Sequence, residues 1–257
     1  LYLSKYQDFQ HRLVKALSER ICSHPLPLDP KFVQAAVDQV FKGLNPDHVQ
    51  YQKKAVITAL SRNFTVISGG PGTGKTHISK IIRQVIQDHA AANGQPVPRF
   101  LSVAPTGKAA VRLQDGATIH SVLIPKKNQP GFVHGKENLL AADVVIVDEA
   151  SMIDMALMTR LLEAIPPDAR VILLGDENQL SPVQAGAVFS DICRTNVLKH
   201  CVVFLAYNFR SGGRTGIENL ANAIRKNDVA AVTKILTKNR YPDLLFQQPD
   251  KGYTTTL

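Results

Sequence analysis

Short apolar runs recur through the middle of the chain, separated by longer stretches of mixed character. The runs are FTVIS (64–68), FLSVA (100–104), VVIVD (144–148), VILLG (171–175) and VVFLA (202–206). They are continuous rather than alternating, which is typical of strands covered on both faces. The pattern therefore predicts five buried β-strands.

The stretches between these runs have apolar residues at helical spacing. One predicted helix has Ile78, Ile81, Ile82 and Val85 on one face, a second has Leu157, Leu161 and Ile165, and a third has Val188 and Ile192. Strands that alternate with helices in this way are typical of a parallel sheet with helices on both sides. The predicted fold class is therefore α/β.

Helices also flank this region. Phe9, Leu13, Ala16 and Leu17 recur at helical spacing within residues 1–44, which we expect to form an N-terminal helical segment. Asp29-Pro30 and Asn45-Pro46 each combine an N-cap residue with a proline at the first helical position. Two further helices are therefore predicted to begin at these pairs.

Two later segments carry turn or cap signals. The composition of residues 125–138 (PKKNQPGFVHGKEN) predicts an exposed loop or a small hairpin. Thr215 and Glu218 have the spacing of a capping box, which predicts another helix.

The segment GGPGTGKT follows the first predicted strand and precedes a predicted helix. It comprises Gly69, Gly70, Pro71, Gly72, Thr73, Gly74, Lys75 and Thr76. Its glycines allow backbone N–H groups to surround a phosphate, and the helix directs its positive end to the same anion. In such a loop the lysine spans the β- and γ-phosphates and the threonine hydroxyl binds Mg²⁺. The sequence therefore predicts an ATP-type phosphate loop rather than a glycine-rich turn.

Two carboxylates end the run VVIVDEAS. Strand ends on one side of a parallel sheet gather at the ligand crevice, which favours Asp148 as a Mg²⁺ carboxylate and Glu149 as a general base for water. The alternative is a strand that ends in an exposed acidic turn.

The run VILLGDENQLSPV ends in a polar turn. If this strand neighbours the other two, Asp176 and Gln179 also lie at the crevice. A glutamine donates and accepts hydrogen bonds without adding charge, so it can contact the γ-phosphate or the attacking water. The alternative is that Gln179 only caps a helix.

Charge and cysteine content narrow the class of partner. The chain has 257 residues and a formal charge of +9, which favours a polyanion such as nucleic acid, although a solvated lysine-rich surface has the same composition.

Three cysteines without a C-x-x-C pair indicate neither a disulfide framework nor a zinc site and favour a reduced, cytoplasmic setting. We find no apolar run of about 18 residues and no signal peptide, and expect no membrane partner. We expect the chain to be part of a longer protein.

Four segments together carry a specific resemblance: GGPGTGKT, APTGKAA (104–110), IVDEASMID (146–154) and GDENQLSPVQAGAVFSDIC (175–193). The combination resembles the RecD-like superfamily-one DNA helicases, whose namesake is the alpha subunit of the bacterial exonuclease V (RecBCD) complex. The resemblance implies a RecA-like P-loop motor domain that uses ATP and Mg²⁺ to move 5′ to 3′ on single-stranded DNA. It also implies partner subunits of a RecBCD-type complex.

The resemblance assigns roles to further residues. Gln52 matches the glutamine that reads adenine, Gln179 the glutamine that couples nucleotide to DNA, and Arg210 the arginine that reaches the γ-phosphate from the second motor domain. The implied DNA contacts are Pro105, Thr106, Lys108, Thr118 and His120.

Some of these positions also have simpler interpretations. Lys108, a helical turn before Arg112, suits a strip that contacts a DNA backbone or a solvated helix face. His120 is either a DNA contact or a packed histidine, and Arg210 either a phosphate contact or a surface arginine.

The resemblance predicts three segments: residues 1–44 as the helical piece, 45–200 as the ATPase domain and 201–257 as the beginning of a second RecA-like domain. The later family motifs have no match after Lys226, and residues 111–118 form a shorter connection than is usual. A nucleotide-dependent switch or a scaffold subunit without translocation is the alternative function. A guanine-specifying N-K-x-D motif is missing after the late strands, which disfavours a GTPase.

Overall fold

The computed structural model describes residues 2–23, 28–179, 186–209, 215–238 and 241–246. The chain divides into two compact units, residues 1–207 and 208–257. The predicted division at residues 44 and 200 stays a prediction.

A parallel six-stranded sheet forms the centre of the first unit. Its strands are β1 (Phe64–Ser68), β2 (Phe100–Ala104), β3 (Gly116–Thr118), β4 (Val144–Val147), β5 (Arg170–Gly175) and β6 (Val202–Phe204). Their order is β3-β2-β4-β5-β1-β6, and every pair in the sheet is parallel. The predicted α/β class with a parallel sheet is confirmed.

The predicted strands differ from the observed ones in detail. Two apolar runs end early, because β4 stops at Val147 and β6 at Phe204. The sequence pattern missed β3, which has three residues and begins with a glycine. This strand forms through its pairing with β2 at the sheet edge, and that pairing supplies what local sequence preference does not.

Ten helices surround or follow the sheet in the described parts of the chain. They are α1 (Tyr2–Cys22), α2 (Pro30–Val40), α3 (Pro46–Ser61), α4 (Lys75–Ala92), α5 (Gly107–Ala110), α6 (Ile119–Leu123), α7 (Met155–Ala164), α8 (Val188–Arg194), α9 (Gly216–Arg225) and α10 (Val229–Thr237). Short 3₁₀ segments occupy Ala150–Met152 and Asn196–Cys201.

Both faces of the sheet are covered. Val145 and Val147 of β4 belong to a core shared with α1, α6, α7 and α8. Val144 and Ile146 of the same strand belong to a second core shared with α2, α3 and α4. This alternation explains why the central strands are apolar at every position rather than at every second one.

The proline-marked helix starts have the predicted caps. The Asp29 carboxylate accepts a hydrogen bond from the Lys31 amide at 2.9 Å, and the Asn45 side chain accepts one from the Asp47 amide at 3.0 Å. Each cap satisfies a first-turn N–H group that has no partner within its helix.

Residues 125–138, for which the sequence predicts an exposed loop or a small hairpin, fold back on themselves; we call this segment the hairpin. Antiparallel bridges join Pro125 to Phe132 and Gly135 to Asn138. The Val133 amide also donates to the Ile124 carbonyl at 2.8 Å, which fixes the hairpin to the end of α6.

The second unit contains α9 and α10. The Asp243 carboxylate accepts hydrogen bonds of 3.0 Å from the amides of Gly216 and Ile217, so a distant residue caps α9. These backbone hydrogen bonds hold the pKa of Asp243 below its usual value. The Glu218 side chain of the predicted capping box lies outside the described residues.

Across the described ranges, none of the helices has both the length and the apolar character needed to cross a membrane.

Arg20 fixes α1 to the rest of the first unit. The residue is only 3% exposed, and burial lowers its pKa to about 10. Its guanidinium donates to four backbone carbonyls at and after the end of α7, those of Leu162, Ile165, Pro166 and Ala169, over 2.8–3.2 Å. These carbonyls are at a helix terminus, where intrahelical partners are lacking, so the arginine acts as a C-terminal cap from another helix.

We expect Arg20→Met to lower the free energy of unfolding by roughly 3 kcal/mol, because several buried carbonyls lose their donor at once. Lys15→Met on the same helix is the matched control, since the Lys15 side chain is 71% exposed. The control change is expected to stay within about 0.5 kcal/mol. Urea unfolding followed by circular dichroism measures both variants, and equal losses would contradict the anchoring role.

Candidate nucleotide-binding site

The phosphate loop connects the buried end of β1 to the start of α4. Gly72 and Gly74 have φ angles of +84° and +93°, a region that favours glycine. The Gly69 amide donates to the Gly175 carbonyl at 3.0 Å, which ties the loop to the end of β5. Because α4 begins at Lys75, its unpaired first-turn N–H groups lie directly after the loop, in the arrangement that binds phosphate.

Lys75 is folded back over this loop. Its ammonium group donates hydrogen bonds to the carbonyl oxygens of Gly69 and, at 3.2 Å, of Gly70. Burial lowers the pKa of Lys75, and the charges of Asp176, Glu149 and Asp148 oppose that shift. Because β1, β5 and β4 are neighbouring strands that end at one edge of the sheet, the lysine predicted to grip phosphate and the two predicted acidic residues lie at that same edge.

Gln52 supports the loop from α3. The side chain is only 2% exposed, and its amide nitrogen donates to the Thr73 carbonyl at 3.3 Å. Its oxygen is buried, and no described group donates to it. The Thr73 hydroxyl donates to the Gly70 carbonyl at 2.8 Å. Pro71 and Thr76 are exposed along the same loop.

The acidic pair follows β4 in a constrained turn. Asp148 is 7% exposed, and its carboxylate accepts a hydrogen bond from the Glu149 amide at 2.9 Å. Burial raises the pKa of Asp148, while the hydrogen bond and the charge of Lys75 act in the opposite direction. Glu149 has a φ angle of +52°, which is costly for a residue with a side chain. The turn separates a buried carboxylate from a partly exposed one.

The turn after β5 contacts both neighbouring strands. The Glu177 amide donates to the Ser68 hydroxyl at 3.1 Å, at the end of β1. The Ser151 hydroxyl donates to the Gln179 side-chain oxygen at 2.8 Å, two residues beyond Glu149. The side-chain oxygen of Gln179 thus accepts a hydrogen bond from a serine of the acidic turn, and not from a helix amide. Neither serine is predictable from the sequence, since a serine at a strand end has no distinctive signal.

The predicted DNA contacts lie along the same edge of the sheet. Ala104 and Thr118 are paired in register at the ends of β2 and β3. Pro105 and Thr106 therefore begin the segment beside Thr118, and Lys108 is exposed on α5.

Two of these residues have structural roles as well. Thr106 caps α5 by accepting from the Ala109 amide at 3.3 Å, and Thr118 caps α6 by accepting from the Ser121 amide at 3.1 Å. His120 is exposed, and its ring centre lies 5.7 Å from that of Phe132 in the hairpin. Arg210 lies outside the described residues. The DNA-contact assignments stay predictions.

The two first glycines of the loop offer a matched test of its packing. A Cβ atom on Gly69 would lie 2.6 Å from the Thr73 hydroxyl oxygen and 2.9 Å from Leu205 Cβ, whereas one on Gly70 would meet only an Asp176 oxygen at 3.8 Å. We expect Gly69→Ala to lower the free energy of unfolding by about 1–3 kcal/mol and Gly70→Ala by less than about 1 kcal/mol. Denaturant unfolding of both variants measures the difference, and a larger loss for Gly70→Ala would refute the packing argument.

Comparison with known proteins agrees with this geometry. Residues 48–241 match the AAA domain family. The RecBCD enzyme subunit RecD of Mycobacterium tuberculosis is 36% identical over 261 residues, which cover 92% of this chain and 43% of that protein. The RecD subunit of Mycolicibacterium smegmatis is 38% identical over 207 residues, covering 72% and 37% respectively.

A third relative has a name that states an enzymatic activity. The ATP-dependent RecD2 DNA helicase of Deinococcus radiodurans is 37% identical over 150 residues, which cover 56% of this chain and 19% of that protein. The chain thus spans less than half the length of each of these relatives. With a phosphate loop, an acidic strand end and a parallel sheet in place, the chain belongs to the AAA domain family and is similar over most of its length to RecD subunits.

Proposed function

We propose that the chain is the ATP-driven motor domain of a RecD-like DNA helicase that moves 5′ to 3′ on single-stranded DNA. The observation that carries the proposal is the turn after β5, which is hydrogen-bonded to Ser68 beside the phosphate loop and to Ser151 beside Glu149. The γ-phosphate of a bound ATP would therefore lie next to a turn that contacts both the phosphate-loop strand and the acidic turn.

ATP and Mg²⁺ are the ligands that this site fits. The Thr76 hydroxyl and the Asp148 carboxylate are hard oxygen donors, and Mg²⁺ commonly takes one or two protein oxygens with the rest from phosphates and water. No group of three or more His, Cys, Asp or Glu side chains in the described parts of the chain forms a metal cluster, which agrees with a metal held largely by substrate. Bound there, Mg²⁺ would neutralise phosphate charge.

The protein side chains have separate tasks in this mechanism. Lys75 leaves the loop carbonyls to hold the β- and γ-phosphates, and Glu149 polarises the attacking water. Gln52 contacts adenine, a role that comes from the family resemblance; its side-chain oxygen is buried without a partner among the described residues, so the side chain turns outward to accept from the amino group. Arg210 adds positive charge to the γ-phosphate from the second motor domain.

Gln179 connects hydrolysis to DNA. Its oxygen is held by Ser151, so its amide nitrogen is oriented by a residue of the acidic turn. Pro105, Thr106, Lys108, Thr118 and His120 bind the strand along the edge formed by β2 and β3. Loss of the γ-phosphate releases the turn and changes the DNA grip.

The larger context is proposed from the relatives. We infer residues 45–200 as the first motor domain, residues 201–257 as the beginning of the second, and a RecBCD-type complex as the assembly of the full-length protein. Cys22, Cys193 and Cys201 are unpaired, which supports a cytoplasmic location. A switch or scaffold without translocation is not favoured, because the relatives include a protein named as a DNA helicase.

Two substitutions separate binding from chemistry. Lys75→Ala is expected to weaken ATP binding about 100-fold, because a charged phosphate contact is lost. Glu149→Gln is expected to keep binding and lower kcat by about 10²–10⁴. Calorimetric titration and phosphate release measure these effects, with the exposed Lys54→Ala as the control. Unchanged turnover by Glu149→Gln would disprove the assignment of the base.

Single-stranded DNA is expected to raise the ATPase kcat of the full-length protein several-fold, whereas residues 1–257 alone hydrolyse ATP poorly with or without DNA. Gln179→Ala is expected to keep ATP affinity and lose most of the stimulation, since coupling and not binding depends on this side chain. Steady-state ATPase measurements with and without an oligonucleotide test both points. Absence of stimulation in the full-length protein would exclude the motor function.

A further inference from the structure

A basic surface lies on the first unit away from the phosphate loop. Helices α1 and α7 and the 125–138 hairpin line two adjoining cavities of about 220 Å³ each, which share Arg12, Lys136 and Glu163. Lys15 lines one cavity and Arg160 the other. We call the surface formed by Arg12, Lys15, Lys136 and Arg160 the basic groove.

The central carboxylate of the groove is buried beneath its cations. The Glu163 side chain is 6% exposed and pairs with Arg12 at 2.6 Å and with Lys136 at 3.1 Å. The Lys136 side chain remains 55% exposed and that of Arg12 32%. A ligand in the groove therefore meets the cations and not the carboxylate that orients them.

The groove has one more positive than negative side chain. The guanidinium of Arg160 lies over the rings of Phe9 and Phe132, at 5.6 and 5.7 Å, and pairs with no carboxylate of the described residues. Asp8 pairs with Arg12 at 3.0 Å, and Glu19 is 3.9 Å from the exposed Lys15. Four cations of the groove therefore face three carboxylates, Asp8, Glu19 and Glu163, one of which is buried.

The groove continues from a predicted DNA contact. The Phe132 ring packs against both His120, at 5.7 Å, and Arg160 of the groove. Phe132 of the hairpin thus connects His120 to Arg160 of α7, and it lines the same cavity as Lys136 and Arg160.

We propose that the basic groove binds the phosphates of single-stranded DNA beyond the contacts at Thr118 and His120. The proposal rests on the proposed function, because that function supplies the strand at His120. Exposed Lys and Arg side chains that follow a strand path bind phosphates without regard to sequence. Continuity with His120 favours DNA over an acidic protein as the occupant, since a protein partner would not need the groove to begin there.

Oligonucleotide length provides the test. An oligonucleotide of about 8 nucleotides covers the contacts near His120, whereas one of about 24 nucleotides also reaches the groove. The variant is Lys15→Ala/Lys136→Ala in the full-length protein. The control is Lys31→Ala/Lys42→Ala, which removes the same charge from exposed positions on and after α2. Fluorescence anisotropy of labelled thymidine oligonucleotides at several salt concentrations gives the dissociation constants.

We expect the groove variant to bind the long oligonucleotide about tenfold more weakly at ~0.1 M salt, and the short one as well as the control does. The salt dependence for the long oligonucleotide should decrease by about 1.4 in log–log slope, or about 0.7 for each lost phosphate contact. Unchanged affinity for the long oligonucleotide would overturn the inference. Equal losses for both lengths would also overturn it, because the effect would then be general electrostatics.

These outcomes are distinct from failure of the proposed function. If single-stranded DNA does not stimulate ATP hydrolysis by the unsubstituted full-length protein, the motor function fails. If stimulation is present and the long oligonucleotide is bound equally by variant and control, only the groove assignment fails.

Discussion

The position of β5 between β4 and β1 is the constraint on which the site depends. In the parallel register, Val147 of β4 faces Leu173, and Ser68 of β1 faces Gly175, so all three strands end at one edge. The phosphate loop and the acidic turn are therefore separated by the width of one strand. The turn after β5 connects the two, because its Glu177 amide donates to Ser68 and its Gln179 side-chain oxygen accepts from Ser151.

The electrostatics of the crevice follow from this geometry. Partial burial of the Lys75 ammonium disfavours its charged form, while the charges of Asp148, Glu149 and Asp176 favour it. Burial disfavours the charged form of Asp148 as well, which raises its pKa, while the charge of Lys75 acts against that shift. A triphosphate would add negative charge beside the lysine, and a divalent cation would offset the charge beside the carboxylates. A triphosphate and a divalent cation would therefore be complementary ligands of the proposed site.

The N-terminal helix belongs to the same structural unit as the site. Its apolar face joins the core beneath β4 and β5, and Arg20 satisfies the carbonyls at the end of α7. The same helix contributes Arg12 and Lys15 to the basic groove. Helix α7 follows the acidic turn closely in sequence, so α1 stabilises an element that begins six residues after Glu149.

Local sequence was sufficient for the phosphate loop, the helix caps at Asp29 and Asn45, and five of the strands, because glycine spacing, proline position and apolar runs act over a few residues. It also determined that Asp148, Glu149 and Gln179 follow strands. The tertiary structure alone decided that β5 lies between β1 and β4, that Ser151 holds Gln179, and that the three-residue β3 completes the sheet edge. The tertiary structure likewise decided that Asp243 caps α9 and that Arg20 caps α7. These contacts join residues far apart in sequence. Local sequence preferences act over a few residues, so they encode neither the order of the strands nor a hydrogen bond between distant segments.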